Sequence, residues 1–225
     1  MSPKIASALV ISGLFLSAAA PATAAQIFYD SFESPVVNDW AVFQVAGDTG
    51  AWTADYGAGI EIQNESLGIT DAYDGEQYVE LDSDNARGGL PGGTNTGMIA
   101  TVPFVAGQTY EISFAYKPRT DVAGDNVIDL FALGYDGSNV TLQAFLLSAN
   151  ETVSTLNDWM IYSVSYVAVA GFNAIGLRAS GIENSFGGFI DAVSVSEVPI
   201  PAALPLFLAG LGGFAFAGRG KRKTA

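Results

Sequence analysis

Apolar and polar residues alternate along much of this chain with the period of two that is typical of β-strands. In the segment from Gln108 to Tyr116, the residues Tyr110, Ile112, Phe114 and Tyr116 share one face, and the opposite face is polar or small. Successive side chains of a strand point to opposite sides of its sheet. The pattern therefore predicts a strand that is buried on one face only.

Similar short runs recur between residues 26 and 198, and helical periodicity is nearly absent there. The further predicted strands are Ala41 to Val45, Gly59 to Gln63, Gln77 to Leu81, Met98 to Phe104, Val127 to Leu133, Val140 to Leu147, Trp159 to Val169, Asn173 to Ala179 and Gly188 to Val195. Turn-forming Gly, Asp and Asn residues separate them, and no repeat of 20 to 50 residues is found. Nine or ten strands predict a single sandwich of two packed sheets.

The N-terminal 25 residues have a different pattern. Lys4 precedes an apolar stretch from Ile5 to Ala20, and small residues follow up to Ala25. A charged start, an apolar centre and a small-residue cleavage site are typical of a secretory signal peptide. We expect residues 1–25 to be removed on export, which leaves residues 26–197 as the β-sandwich domain.

The C-terminal segment, residues 198–225, is also distinct. No charged side chain occurs from Ala202 to Ala217, and a basic cluster from Arg219 to Lys223 follows. The apolar run is slightly shorter than the roughly 20 residues that span a bilayer. The basic end predicts a membrane helix with a cytoplasmic C-terminus. The alternative is a buried terminal element of the domain, although a core element would not end in four cations.

The motif ahead of that run is Val198-Pro199-Ile200-Pro201-Ala202. Together with the apolar run and the basic end, it resembles the tail of PEP-CTERM surface proteins of the VPLPA type, with Ile200 in place of Leu. The resemblance implies processing by an exosortase in Gram-negative bacteria that make extracellular polysaccharide. It also implies transient anchoring in the inner membrane, followed by display at the cell surface or secretion.

Charge is distributed unevenly between these segments. The chain has nine Lys and Arg residues, of which only Arg87, Lys117, Arg119 and Arg178 lie in the domain, together with all 23 carboxylates. Residues 26–197 therefore carry a formal charge of −19. Such a field repels nucleic acid and anionic lipid, and it raises the local concentration of cations. Nucleic-acid binding is excluded, while solubility outside the cell is sufficient to explain the charge.

The chain contains no cysteine and no histidine. Catalytic triads that use His, Cys-His pairs and typical zinc sites are excluded. Paired carboxylates, as in glycosidases, stay open as a catalytic device. With so many acidic residues, the sequence does not identify which two would face each other.

Four segments carry a second resemblance. They are Tyr29 to Glu33 followed by Trp40, Asp74 to Asp82, Val105 to Tyr116, and Gly187 to Val195. In this order they resemble galactose-binding-like jelly-roll domains, including the DUF642 family, with Ala192 replacing the second acidic residue of the closing pair. The resemblance implies an all-β fold, a two-sheet antiparallel jelly-roll sandwich.

The same resemblance implies one structural Ca²⁺ held by Glu33 and Asp191. Calcium takes six to eight oxygen ligands, so two carboxylates and backbone carbonyls could form the site. The alternative is that both residues are solvated strand ends. A second acidic cluster, Asp82-Ser83-Asp84-Asn85, could be another calcium loop, but an ordinary acidic turn explains it as well.

Carbohydrate binding would use aromatic rings beside polar groups. The candidates by chemistry are Trp40, Trp52, Tyr56, Tyr73 and Trp159. For each of them, packing in the core of the sandwich is the alternative.

We expect a secreted, surface-sorted protein that is not an enzyme and that associates with extracellular polysaccharide or biofilm matrix by carbohydrate binding. A purely structural or adhesive protein without a ligand pocket is the first alternative. A glycan-active hydrolase with paired carboxylates is the second.

Overall fold

The alternating segments of the sequence form the strands of two facing antiparallel sheets. The computed structural model describes residues 24–44, 49–84, 93–150 and 158–199. Residues 1–23 of the predicted signal peptide, the apolar run 202–217, the basic end and the last three residues of the tail motif lie outside these ranges. Residues 24–199 form one compact unit.

The described ranges contain twelve strands. Their bounds are β1 (Gln26–Asp30), β2 (Trp40–Phe43), β3 (Trp52–Tyr56), β4 (Ile60–Asn64), β5 (Gln77–Glu80), β6 (Gly97–Thr101), β7 (Thr109–Lys117), β8 (Ile128–Tyr135), β9 (Val140–Ala149), β10 (Met160–Val167), β11 (Ala174–Ala179) and β12 (Phe189–Glu197). A single turn of 3₁₀-helix, Glu65–Leu67, follows β4. No helix of the described residues is long and apolar enough to cross a membrane.

The prediction of nine or ten strands was too low, because β1 and β3 were missed. β1 lacks strict alternation and is half-buried at most positions, whereas β3 alternates over only five residues, of which only Trp52 is fully buried. Both are held by distant partners, β1 by β12 and β3 by β6. Pairing with remote segments leaves little local signal in the sequence.

All strand pairs are antiparallel. The seven-stranded sheet has the order β10-β7-β12-β5-β4-β2, with β1 paired to the later part of β12. The five-stranded sheet has the order β3-β6-β11-β8-β9. The predicted all-β, two-sheet antiparallel jelly-roll sandwich is confirmed.

The main core lies between the two sheets. The four alternating residues of β7 that the sequence predicted to be buried are fully buried. They face apolar residues of the other sheet, such as Met98, Leu130 and Leu177, in one cluster. Burial of this apolar surface is the main driving force for folding.

The outer face of the seven-stranded sheet is also buried along part of its length. Glu61 on β4, Glu80 on β5 and Phe189 on β12 stand side by side in register, and each is at most 4% exposed. The chain from Glu65 to Glu76, here called the β4–β5 segment, contacts the later strands of the same sheet. Its Asp71 carbonyl accepts a hydrogen bond from Trp159 Nε1 at 2.9 Å, beside β10. This segment therefore forms part of the cover of the outer face.

Candidate functional site

A cavity of about 330 Å³ opens on the outer face, above β4 and β5. We call it the β4 pocket. Its lining combines aromatic, aliphatic, acidic, amide and basic side chains: Trp40, Glu61, Gln63, Leu67, Ile69, Asp84, Arg119, Ser185 and Phe186. The mixture of apolar walls and convergent polar groups is typical of ligand pockets.

The floor of the β4 pocket is polar because β4 alternates. Ile60 and Ile62 face the core, so Glu61 and Gln63 face outwards. Gln63 Nε2 donates to Glu61 Oε1 at 2.7 Å and to the Glu80 carboxylate. Gln63 is 2% exposed, and its Oε1 atom has no hydrogen-bond donor among the described residues. The floor thus contains a buried acceptor to which no described residue donates.

One guanidinium, that of Arg119, pairs with the buried carboxylate beneath this floor. Arg119 Nη1 donates to Glu80 Oε1 at 2.6 Å, and the Gly187 N–H donates to the same oxygen at 2.8 Å. Arg119 also lies 4.6 Å from the centre of the Phe186 ring. Burial raises the pKa of Glu80 to about 8, and the Arg119 charge opposes that rise. Glu80 is therefore a structural acid whose charge depends on Arg119.

Burial likewise raises the pKa of Glu61. Hydrogen bonds from the Asp84 N–H, at 2.7 Å, and from Gln63 favour the charged carboxylate. Each Glu61 oxygen thereby has one donor. The carboxylate is held in a fixed position in the floor of the pocket.

A second cavity of about 380 Å³ lies further along the outer face. We call it the Trp159 pocket. It is lined by Gly68, Ile69, Thr70, Asp71, Lys117, Asp158 and Trp159. Lys117 Nζ donates to Thr70 Oγ1 at 2.8 Å, and the Tyr78 and Trp159 ring centres are 6.2 Å apart. Ile69 lines both pockets, so the two cavities are neighbours on one surface.

Three of the five aromatic candidates from the sequence lie at or beside the two pockets, and two lie elsewhere. Trp40 lines the β4 pocket, Trp159 lines the second, and the Tyr73 ring lies 6.1 Å from Trp159. Trp52 is fully buried in the core, and the hydroxyl of Tyr56 donates to the Ala179 carbonyl on the other sheet. Trp52 therefore packs in the core of the sandwich, which was the alternative to a role in carbohydrate binding.

Several lining residues were missed by sequence reasoning. Phe186 and Arg119 were not among the candidate site residues from the sequence. Glu61 and Gln63 occupy the polar positions of a predicted strand, which was a usable signal. Their pairing with Glu80 depends on strand register, which the sequence did not specify.

The predicted calcium ligands Glu33 and Asp191 both bind the end of the β4–β5 segment. Glu33 Oε1 accepts from the Glu76 and Gln77 N–H groups, each at 2.9 Å. Asp191 Oδ2 accepts from the Tyr73 and Asp74 N–H groups, also at 2.9 Å. These oxygens face N–H donors instead of the carbonyl oxygens that would complete a calcium shell.

Asp191 is not a solvated strand end, because it is fully buried. Burial raises its pKa to about 7. Glu33 is exposed, and Gly75 allows close approach, since a Cβ there would lie 2.3 Å from Glu33 Oε1. Within the described ranges, no group of three or more acidic residues gathers as a metal site. Calcium binding at Glu33 and Asp191 stays a prediction.

The second acidic cluster supports a wall of the β4 pocket. Asp82 is fully buried, and its Oδ2 atom accepts from the Asn184 N–H at 3.0 Å and the Phe186 N–H at 3.1 Å. Asp84 lines the pocket, and Asn85 lies outside the described residues. Asp82 thus holds the loop that carries Phe186.

No family model matches the chain, and no curated protein matches it in sequence. Solved structures with a similar fold include a xylan-binding domain from Paenibacillus barcinonensis, at 18% identity over 81% of this chain and 99% of that chain, with a TM-score of 0.45. A cleaved adhesin domain of Lys-gingipain from Porphyromonas gingivalis matches at 18% identity over 75% and 96%, with a TM-score of 0.46. The C-terminal family 22 carbohydrate-binding module of a Clostridium thermocellum protein matches at 15% identity over 76% and 94%, with a TM-score of 0.49. Similarity of this degree describes the sandwich fold alone.

Replacing Arg119 tests the dependence of Glu80 on its partner. We expect Arg119→Ala to lower the free energy of unfolding at pH 9 by about 3–5 kcal/mol, because Glu80 is ionised above its folded pKa of about 8 and its buried charge then depends on Arg119. Arg178→Ala is the matched control, since its partner Asp55 has 18% of its side chain exposed compared with 1% for Glu80. The control should lose about 1 kcal/mol. Urea denaturation at pH 9 measures both losses, and equal losses would contradict the assignment.

The pH dependence of the Arg119→Ala variant has a defined sign. The folded pKa of Glu80 is raised from 4.5 to about 8, so the folded state holds a proton that the unfolded state releases. Stability is then lost as the pH rises through that window. Removal of the Arg119 charge raises this pKa further, so the variant should continue to lose stability above pH 8, where the loss in the wild type levels off. Urea denaturation from pH 5 to pH 9 measures the difference, and parallel curves above pH 8 would contradict it.

Proposed function

We propose that this protein is exported, sorted to the cell surface and binds extracellular polysaccharide through the outer face of its seven-stranded sheet. The observation that carries the proposal is the β4 pocket, where aromatic walls stand over a polar floor. Sugars offer apolar C–H faces to rings and hydroxyl groups to polar side chains. Phe186, which is 49% exposed, and Trp40 supply the rings, and Glu61 and Gln63 supply acceptors.

The neighbouring Trp159 pocket extends this surface. It repeats the combination of a tryptophan with polar groups, here Asp71, Asp158 and Lys117. Ile69 is shared by the two cavities. A surface with two such pockets suits a chain of sugars better than a single sugar, because each pocket can contact a different residue of the chain.

The hydrolase alternative is less favoured by the geometry. Glu61 and Glu80 are direct neighbours across two strands, as a carboxylate pair requires. The Gln63 amide, however, donates to both carboxylates and links them. Glu80 is fully buried and also binds Arg119 and the Gly187 N–H. A retaining glycosidase needs its two acids open to the sugar, so we propose binding without catalysis.

Export and sorting rest on the terminal segments. The signal-like residues 1–25 and the motif from Val198 to Ala202 support export, exosortase processing and transient anchoring in the inner membrane. The motif begins directly after β12, which ends at Glu197. The polysaccharide ligand and the sorting route are consistent with one extracellular role.

Binding is tested with the purified protein and a panel of extracellular polysaccharides in affinity gels. We expect Phe186→Ala or Trp40→Ala to weaken binding at least about ten-fold, since aromatic contacts carry much of the energy of such sites. Phe145→Ala is the matched control, because Phe145 is 59% exposed on the other sheet. If the folded protein binds no polysaccharide, the structural or adhesive alternative replaces this proposal.

Sorting is tested in a bacterium that contains an exosortase. Replacing Pro199 and Pro201 with alanine should leave the unprocessed, longer form in the inner-membrane fraction, as detected by immunoblot. Replacing Pro118, which lies outside the motif, should leave processing unchanged. Normal processing of the motif variant would contradict exosortase recognition.

The calcium prediction is tested by melting curves with and without a chelator. We expect chelation to lower the melting temperature by about 5–10 °C, since a ligand that binds only the folded state stabilises it. Glu33→Gln or Asp191→Asn should abolish that difference, and Glu111→Gln, at an exposed position, should preserve it. A melting curve that chelation leaves unchanged would end the calcium assignment.

A further inference from the structure

β10 is the least protected edge of the sandwich. The strands at the sheet edges of the described fold are β2, β3, β9 and β10. Proteins usually protect such edges by short strands, charged side chains, prolines or bulges. β2 has four residues, β3 has five and includes Asp55, and the pairing of β9 with β8 shifts register at two places. β10 has eight residues, none of them charged, Pro or Gly, and it pairs with β7 in unbroken register.

Half of the backbone groups of β10 point away from its sheet. Directly after β10, the Ala168 N–H donates to the Gln108 carbonyl, and the Ala168 carbonyl accepts from the Gly107 N–H. Because backbone groups alternate along a strand, the even-numbered residues of β10 bond to β7. The odd-numbered residues therefore direct their N–H and C=O groups to the free edge, where the described ranges place no strand. They are Ile161, Ser163, Ser165 and Val167.

The sequence of β10 is nearly symmetric about Val164. The segment from Ile161 to Val167 reads Ile-Tyr-Ser-Val-Ser-Tyr-Val. If two copies of this strand pair antiparallel with Val164 opposite Val164, serine meets serine, tyrosine meets tyrosine and isoleucine meets valine. Each outward N–H of one copy then faces an outward carbonyl of the other, because residues 161 and 163 oppose residues 167 and 165. The strand is therefore complementary to itself.

The exposed side chains of β10 also match in this arrangement. Ile161 and Val167 are 53% and 57% exposed on the outer face, and pairing places each beside the other residue of the second copy. Cross-strand pairs of β-branched side chains stabilise a sheet. Ser163 and Ser165 are exposed as well, and their hydroxyl groups lie opposite each other. Pairing thus covers apolar side chains in addition to satisfying the backbone.

Electrostatic repulsion limits where two domains with a formal charge of −19 can approach each other. β10 contributes no charge, and neither does β9, which contacts it across the sandwich. The acidic residue of β7 is Glu111, opposite Ser165. In the symmetric pair, the two Glu111 residues are three strand spacings apart, at least about 14 Å. Salt screens charges beyond about 8 Å, so this edge allows two copies to meet.

We infer that two copies of this protein pair antiparallel through β10, about a two-fold axis at Val164, and so join their seven-stranded sheets. The same surface of each copy binds the other, so the contact closes at a dimer. The axis is perpendicular to the sheet, and both outer faces lie on the same side. The two Trp159 residues are then roughly 35 Å apart along the joined strands. One long sugar chain can bind both copies with a gain in avidity, a consequence that rests on the proposed function.

Disulfide trapping in cells that export the full chain tests the pairing, because the natural chain has no cysteine. Val164→Cys places two thiols opposite each other, with Cα atoms about 4.5 Å apart, which a disulfide can bridge. We expect a band of twice the mass on a non-reducing immunoblot and its loss on reduction. Ser113→Cys is the matched control, since Ser113 lies opposite Ser163 on β7, one strand further from the axis. It should stay monomeric.

Sedimentation of the purified protein measures the affinity of the pair. Ser163→Pro removes an N–H that points to the free edge and none that bonds to β7, whereas Ser163→Ala keeps that N–H. We expect the proline variant to dimerise at least about ten-fold more weakly and the alanine variant to change little. Raising the salt from about 0.05 M to about 0.5 M should strengthen dimerisation, because salt screens the repulsion between acidic domains. Melting curves confirm that each variant is folded.

Each outcome decides for or against pairing through β10. A Val164→Cys protein that stays monomeric while its thiol reacts with a maleimide would overturn the inference, and this holds even where Ser163→Pro fails to fold. Dimers that a folded Ser163→Pro variant keeps would place the contact on another surface. A cross-link of Val164→Cys to a different protein would replace the second copy by a foreign strand. All measurements are made without polysaccharide, so dimerisation and the proposed function succeed or fail separately.

Discussion

A carboxylate buried on the outer face of a sheet is the constraint on which this structure depends. Glu80 is fully buried there, and its two oxygens bind Arg119, Gln63 and the Gly187 N–H. An unpaired charge at that position would cost several kcal/mol. The need to satisfy Glu80 therefore fixes three separate parts of the chain: the end of β7, the outer side of β4 and the loop before β12. The same three parts form the floor and one wall of the β4 pocket.

The β4–β5 segment is held by a second set of carboxylates. Glu33 and Asp191 accept four backbone N–H groups of residues 73–77, and Trp159 donates to the Asp71 carbonyl. Through these contacts the segment is anchored at both β12 and β10. Its residue Ile69 lies between the two pockets and lines both. These anchors hold the shared wall of the two pockets in place, which would reduce the entropy lost on binding the proposed ligand.

Local alternation in the sequence was sufficient to predict the fold class and ten of the twelve strands, with β7 as the clearest case. The site was only partly predictable. Trp40 and Trp159 could be named by chemistry, since a ring suits a sugar in any β-sandwich. The pairing of Glu61 with Glu80 could not be predicted, because it depends on the register of β4 against β5. The pairing of Arg119 with Glu80 could not be predicted either. Arg119 follows β7, which reaches β5 only through the order of strands in the sheet, with β12 between them.

The placement of the tail relative to the pockets follows from the direction of β12. Phe189, at its start, lies beside Glu80 and Tyr78 under the pockets, with 4.9 Å between the Phe189 and Tyr78 ring centres. Glu197 is the last residue of β12, eight positions further on, which corresponds to roughly 25 Å of extended strand. There the Val198 N–H donates to the Thr109 carbonyl at 2.8 Å, so the proposed sorting motif begins on the sheet itself. The chain consequently leaves the sandwich at the end of β12 that is remote from both pockets. The residues at which the proposed processing motif begins, Val198 and Pro199, therefore lie at the opposite end of that strand from the proposed binding face.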